Sequence, residues 1–404
     1  MKRILFLTSN SLATNPRLVK ELALAVKQFE CTVISFKFYN WSDALDDEIK
    51  TFFPNVAFRE LSAGRKPLIP WLCSSIAVRL SQILYPLFRN NLLLNSFAHS
   101  KRSFLLWTAL MRHTKKYDLV IAHNLASLYP AFSFAMGNNI PFAFDLEDYH
   151  PGESIGSNPE NEISRRKYLM AKLLPETLYV SYASPLIGDA FLSLFTDNFK
   201  KRHFLVNNSF LSKDFNITLE PASEKLSFVW FSQHISFGRG LELVVPILYQ
   251  YRDQLSLTLI GNLNKNFYQS FLKEYDEVIS FTASMAQKEL HIALTAFDIG
   301  LAIELSAVDL NRELCLTNKI FAYCQAGLYI LATDTNAQQL FMNQYQNVGE
   351  VVKQSAEEFE TSIQSVLAKA DEIKRGRESR STTSKQLAWE HESEKLLNAW
   401  SLLL

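Results

Sequence analysis

The chain predicts an α/β architecture with two parallel-sheet domains in tandem. Short apolar runs recur along it, each followed by a stretch whose apolar residues fall at helical spacing. The runs are continuously apolar rather than alternating, as expected of strands covered on both faces. At 404 residues the chain exceeds one ordinary core, and the alternation restarts after a polar stretch at 207–224.

In the first domain, residues 3–8 read as a strand, 16–28 as an amphipathic helix and 32–36 as a second strand. Residues 119–122 (strand), 125–136 (helix) and 142–145 (strand) continue the pattern, and 178–181, 185–194 and 204–206 complete it. The second domain opens with a strand at 228–231 and a helix at 240–251. A strand at 257–260, a helix at 288–296 and a strand at 299–302 follow. Residues 353–370 and 384–402 read as terminal helices, with a basic, Ser/Thr-rich stretch at 374–385 between them. The expected division is 1–207, with an insertion at 61–117, then 225–385, then a last helix over 386–404.

Composition narrows the function. Forty-one basic residues balance 41 acidic ones, which argues against bulk nucleic-acid binding, and 48% apolar content excludes disorder. Cys31, Cys73, Cys315 and Cys324 have no paired spacing and no histidine cluster, so they read as reduced thiols in a cytoplasmic protein. The N-terminal apolar run is too short for a signal peptide, and no run approaches the roughly 20 residues of a membrane span.

The neutral total conceals one asymmetry. Between Glu60 and Asp118 there is no acidic residue, while Arg65, Lys66, Arg79, Arg89, Lys101, Arg102, Arg112, Lys115 and Lys116 all fall there among many large apolar residues. Basic and amphipathic together is the pattern of a segment lying on an anionic membrane, so residues 65–116 are expected to contact such a surface.

The most informative stretch is 311–334. Thr317-Asn318 can cap a helix, Lys319 falls in its first turn, and Gly327 ends it before an apolar strand and Asp334. A helix start with unpaired N–H groups and an adjacent lysine suits a phosphate. A second anion-friendly loop runs Ser232-Gln233-His234-Ile235-Ser236-Phe237-Gly238-Arg239-Gly240, opening a helix at a strand end. His123 stands one step past a strand, and Asp145-Leu146-Glu147-Asp148-Tyr149-His150 crowds ionisable groups at the next strand end. Pro16 in Asn15-Pro16-Arg17 opens the first helix, and Glu304 follows the strand at 299–302. The glycine-rich dinucleotide turn and the Lys-Ser/Thr phosphate loop are both absent, which argues against NAD binding and ATP hydrolysis.

The segment Asn318-Lys319-Ile320-Phe321-Ala322-Tyr323 through Ala326-Gly327, with Asp334 beyond, resembles the donor-nucleotide segment of GT-B glycosyltransferases of the family 4 type. The likeness covers nearly the whole chain and implies two Rossmann-like domains facing a cleft, with the last helix crossing back to the first domain. It implies transfer of a sugar from a nucleoside-diphosphate sugar to a hydroxyl of a glycan or lipid-linked acceptor, with retention of configuration. Cell-surface polysaccharide or lipopolysaccharide synthesis on the inner face of the cytoplasmic membrane follows from the family and the basic segment. Gln233 and Arg239 stand where the family has an arginine and a lysine, and Asn311, Arg312, Thr317, Asn318 and Lys319 would complete the donor site. His123 and Glu304 would position the sugar, Glu147 and Asp148 would serve the acceptor, and Asn15 and Arg17 would meet acceptor phosphate. With the cations stabilising the leaving diphosphate, no metal and no cofactor is expected. The family's two glutamates fall here on Leu314 and Ala322, so the ribose grip is missing. The alternatives are a sugar-nucleotide epimerase or hydrolase on the same fold, and a non-catalytic nucleotide-sugar-binding module.

Overall fold

A computed structural model of the chain describes residues 1–156, 158–196, 199–215 and 224–401. Residues 216–223 of the expected linker, and the end of the expected last helix from Leu402, lie outside the described residues. The chain forms two compact units, one of Met1–Val206 with the segment from Lys395, the other of Asn207–Glu394.

The first unit is built on β1 (Arg3–Thr8), α1 (Pro16–Ala25), β2 (Glu30–Lys37), α2 (Ser42–Thr51) and β3 (Ala57–Ser62). Three helices follow, α3 (Leu68–Leu84), α4 (Leu92–His99) and α5 (Lys101–Met111), where the basic amphipathic segment was read. Then come β4 (Leu119–His123), α6 (Leu125–Asn138), β5 (Phe142–Leu146), α7 (Pro159–Leu173), β6 (Tyr179–Tyr182), α8 (Pro185–Leu192) and β7 (Arg202–Leu205). The seven strands form one parallel sheet in the order β3-β2-β1-β4-β5-β6-β7. Ile4, Leu5, Phe6 and Leu7 of β1 and Leu119–Ala122 of β4 are fully buried at its centre.

The second unit contains β8 (Leu226–Ile235), α9 (Leu241–Gln250), β9 (Leu255–Leu263), α10 (Lys265–Ser270), β10 (Ile279–Thr282), α11 (Gln287–Leu294) and β11 (Ile299–Ala302). It continues with α12 (Leu310–Leu314), α13 (Asn318–Gln325), β12 (Tyr329–Thr333), α14 (Asn336–Gln344), β13 (Gly349–Val352) and α15 (Ala356–Ala368). The last helices of the chain are α16 (Ala370–Arg375), α17 (Arg377–Ser384) and α18 (Trp389–Trp400), of which the part from Lys395 belongs to the first unit. Its six strands are again parallel, in the order β10-β9-β8-β11-β12-β13. Phe228, Trp230, Leu257, Leu259, Ile299 and Leu301 pack there with Val244, Val245 and Leu248 of α9 and with Phe359, Ile363 and Val366 of α15. Each such side chain contributes about 1.5–3 kcal/mol of burial.

Two readings are corrected. The polar run from Ser232 is not a loop up to Gly240: β8 continues through it to Ile235, with an irregularity between Phe231 and His234. The stretch read as basic linker forms α16 and α17, because Arg377 and Arg380 are drawn inward onto backbone carbonyls of Thr295 and Gly327.

Candidate functional site

In both sheets the strand order reverses direction once, between β1 and β4 in the first unit and between β8 and β11 in the second. Ligands in open parallel sheets bind at the C-terminal strand ends beside such a reversal, because the flanking loops part there. The sequence-derived candidates gather at these two places.

At the β8/β11 reversal the central group is Glu304, two residues beyond β11 and almost wholly buried. Its Oε1 accepts from Nζ of Lys319 at 2.7 Å and its Oε2 from Nη1 of Arg312 at 2.7 Å. Its backbone N–H donates to Oγ1 of Thr333, and that hydroxyl donates back to the Glu304 carbonyl. Burial pushes the Glu304 carboxyl up, but the charges of Lys319 and Arg312 with the Thr317 hydroxyl outweigh it and hold it below its usual range. Asp309 caps α12 at the Arg312 backbone N–H, which sets Arg312 and the neighbouring Asn311 on one short helix.

Lys319 lies on the first turn of α13, its Nζ 5.9 Å from the centre of the Trp230 ring in β8. Thr317 has the extended backbone of a cap, but its side chain does not cap the helix; the hydroxyl is directed to Glu304 instead. Asn318 opens α13 and is half-buried. Two glycines bring these parts together. A Cβ on Gly300 would stand 2.3 Å from Cγ of Tyr323, so the missing side chain is what seats α13 on β11. Gly240 has φ +82°, and a Cβ there would meet Ile303 at 2.3 Å, so the loop carrying Arg239 presses against the residue before Glu304. Arg239 makes no hydrogen bond or ion pair with a described residue, and Gln233 is exposed on the last part of β8. Arg312 and Lys319 thus converge on one carboxylate, with Arg239 on the adjoining loop, an arrangement suited to an anionic ligand.

At the β1/β4 reversal His123 ends β4 in register with Thr8 and is buried. Its Nε2 lies 3.5 Å from Oε2 of Glu21 and its Nδ1 3.5 Å from Oδ2 of Asp145. These separations are long for hydrogen bonds, so the attraction is chiefly Coulombic. Burial opposes the charged ring, yet Glu21 and Asp145 prevail and raise His123 to about 9. The two carboxylates thus favour the protonated imidazole.

Arg17 is the main correction in this unit. It is fully buried, gripping Asp145 with Nε at 2.6 Å and Nη2 at 2.8 Å and donating Nη1 to the Val206 carbonyl. Asn15, also buried, caps α1 at the Leu18 backbone N–H and donates to Thr8. Both side chains are spent on holding the sheet edge, so neither is presented to an acceptor phosphate. Glu147 and Asp148 follow β5 and are half-buried. Burial and the charges of Asp148 and Asp145 push Glu147 up to about 7, a value suited to proton exchange near neutral pH.

Sequence reasoning passed over Lys20 and Glu21. They lie three and four residues beyond Arg17, which places them on its face of α1. Burial and then the Arg17 charge lower Lys20 to about 7. The helical spacing of Arg17, Lys20 and Glu21 was the available signal. Glu21, His123 and Asp145 each offer a ligand atom within 4.8 Å of the others. Arg17 and Ser181 already engage both oxygens of Asp145, and the guanidinium repels a further cation there, so ion pairing accounts for the trio.

No protein-family model matches this chain, and no curated protein sequence matches it. Solved structures do. Sucrose-phosphate synthase from Thermosynechococcus elongatus aligns over 100% of this chain and 99% of its own, at 15% identity and a TM-score of 0.68. HepE from Anabaena, solved in complex with UDP, aligns over 99% of this chain and 100% of its own, at 14% identity and a TM-score of 0.68. It has also been solved with UDP-glucose. A UDP-N-acetylglucosamine 2-epimerase aligns less closely, over 100% and 97% at 10% identity with a TM-score of 0.58. Glycosyltransferases thus stand among the structural neighbours, and this chain, with its two Rossmann-like parallel-sheet units, has the GT-B fold.

Proposed function

We propose that the chain transfers a sugar from a nucleoside-diphosphate sugar to an acceptor hydroxyl, as a retaining enzyme of the family 4 type. The carrying observation is the cluster of Arg312 and Lys319 on Glu304, with Arg239 on the adjoining loop, at the switch point of a GT-B unit. Solved neighbours hold UDP and UDP-glucose, which supports a nucleotide-sugar donor. On this reading the diphosphate meets Arg239, Lys319 and the start of α13, with Gln233, Asn311, Arg312, Thr317 and Asn318 around it. The anomeric C–O bond breaks, the acceptor oxygen bonds to the same face, and the acceptor proton passes to the departing phosphate oxygen. The cations stabilise the negative charge growing there, so the step needs no metal. Glu304 and His123 orient the sugar, while Glu147 and Asp148 attend the acceptor hydroxyl.

The acceptor on this reading is a lipid-linked glycan, met on the inner face of the cytoplasmic membrane during cell-surface polysaccharide or lipopolysaccharide synthesis. The acid-free segment supports that location. Incubation with a panel of nucleotide-sugars and a polyprenyl-linked acceptor extract should release nucleoside diphosphate with one donor. Binding without release from any donor would sink the transferase reading and leave a non-catalytic module, which the absent carboxylate at Ala322 favours. The epimerase neighbour supports a second reading, in which sugar nucleotide is converted without any acceptor. Acceptor-independent turnover separates it.

A further inference from the structure

Helix α3 is amphipathic the wrong way round. Its buried positions are Ser74 and Ser81, while Ile69, Leu72, Ile76, Leu80 and Ile83 stand exposed at helical spacing, continued by Leu87 just past its end. Their exposure runs from 42% at Leu72 to 78% at Leu87, so the stripe faces outward along its length. The inner face is satisfied locally, for Ser74 and Ser75 both donate to the Trp71 carbonyl. A continuous apolar stripe on an outer face marks a binding surface rather than misplaced core.

The charges say what covers it. Every ionisable carboxylate or cationic side chain on the span 61–117 is basic, Arg65 and Lys101 standing 5.6 and 4.9 Å from the centre of the Trp71 ring. A second copy would bring like charges together, whereas an anionic bilayer satisfies both the stripe and the cations. Beside the first turn of α3 lies a pocket of about 360 Å³. Pro67, Trp71 and Leu105 form apolar wall, and Lys37, Arg59 and Arg112 bring positive charge. Glu60 also lines it, but is paired with Lys50 at 2.7 Å. The side chains of Lys37 and Arg112 make no hydrogen bond or ion pair with a described residue, although Lys37 adds to the positive field at Asp47, and the Arg59 side chain reaches the Ala109 carbonyl and His113 at 3.4 and 3.5 Å.

We propose that α3 lies in the plane of an anionic bilayer with its stripe among the acyl chains, and that the adjoining pocket takes the phosphate headgroup of one lipid. This deepens the membrane part of the reading above and is independent of the transfer part. The full chain is sedimented with phosphatidylcholine vesicles, with and without phosphatidylglycerol. Anionic vesicles should bind it about tenfold better or more, salt should release it, and two variants should each lose about tenfold. One is Ile76→Asn with Leu80→Asn and Ile83→Asn; the other is Lys37→Glu with Arg112→Glu. Unchanged binding by the second variant overturns the headgroup pocket, and unchanged binding by the first overturns insertion. Equal binding to neutral vesicles, binding to neither, or a dimer dissolved by the first variant overturns the bilayer as occupant. Full displacement by glycerol phosphate at vesicle-matched phosphate concentration assigns the pocket to a soluble phosphate and overturns the lipid. Melting temperature and UDP binding are followed in both variants and should stay at the wild-type level. A failure here is thus distinguishable from failure of the donor site.

Discussion

Glu304 occupies with one carboxylate two cations of the proposed donor site, Lys319 and Arg312. A ligand must therefore compete with an internal anion, which favours groups carrying two or more charges over singly charged ones. Glu304→Gln should reduce that selectivity, so that the ratio of UDP to UMP affinity falls about tenfold by calorimetry. Loss of two charge-assisted hydrogen bonds should also cost about 2–4 kcal/mol in urea denaturation. His123 gives a pH dependence of definite sign. Its folded-state value is raised from the ordinary 6.5 to about 9, so its contribution, up to about 3 kcal/mol, is full below pH 6.5 and disappears as pH rises towards 9. The urea midpoint should fall across that window, and His123→Gln should flatten the fall. At this scale sequence reading located the groups better than it assigned their partners. Lys319, Arg312 and Glu304 were named for a ligand and are found holding one another, because burial forces opposite charges to pair. Arg17 was expected to meet an acceptor phosphate at a helix opening, yet α1 turns that face to the sheet, where Asp145 waits.

At the scale of elements, the site depends on how α13 meets β11, and that depends on Gly300. Gly300→Ala should overpack the contact with Tyr323, cost about 1–3 kcal/mol and weaken UDP binding as Lys319 moves. Adding Tyr323→Leu should restore part of both in thermal melts and titrations; no recovery would show that α13 is seated by something else. The central strands were legible because burial on both faces makes their sequences continuously apolar, as in β1 and β4. The edge strands β3, β10 and β13 were not, since Ala57–Ser62, Ile279–Thr282 and Gly349–Val352 mix polar with apolar residues as half-covered strands do. Helix α17 was hidden for another reason. Its sequence Arg-Glu-Ser-Arg-Ser-Thr-Thr-Ser has no apolar face, and tertiary bonds from Arg377 and Arg380 hold it. The basic segment was recognised as amphipathic, but composition alone does not say that the serines of α3 point inward and its leucines outward.

For the molecule as a whole, no helix among the described residues is long and apolar enough to cross a membrane. Any lipid association must then come from a surface. The span 61–117 holds nine of the 41 basic residues and none of the 41 acidic ones, which leaves a net charge of −9 on the remainder of a formally neutral chain. That concentration of one sign on a single span is felt before contact. Within about a Debye length an anionic sheet attracts the basic span and does not attract the remainder of the chain, whose net charge has the opposite sign. The protein would arrive already oriented, so electrolyte should slow arrival far more than it hastens departure from the apolar stripe. Stopped-flow mixing with vesicles at rising salt separates the two rates. Equal salt dependence of both would mean that the helix is held at the surface by charge and never embeds.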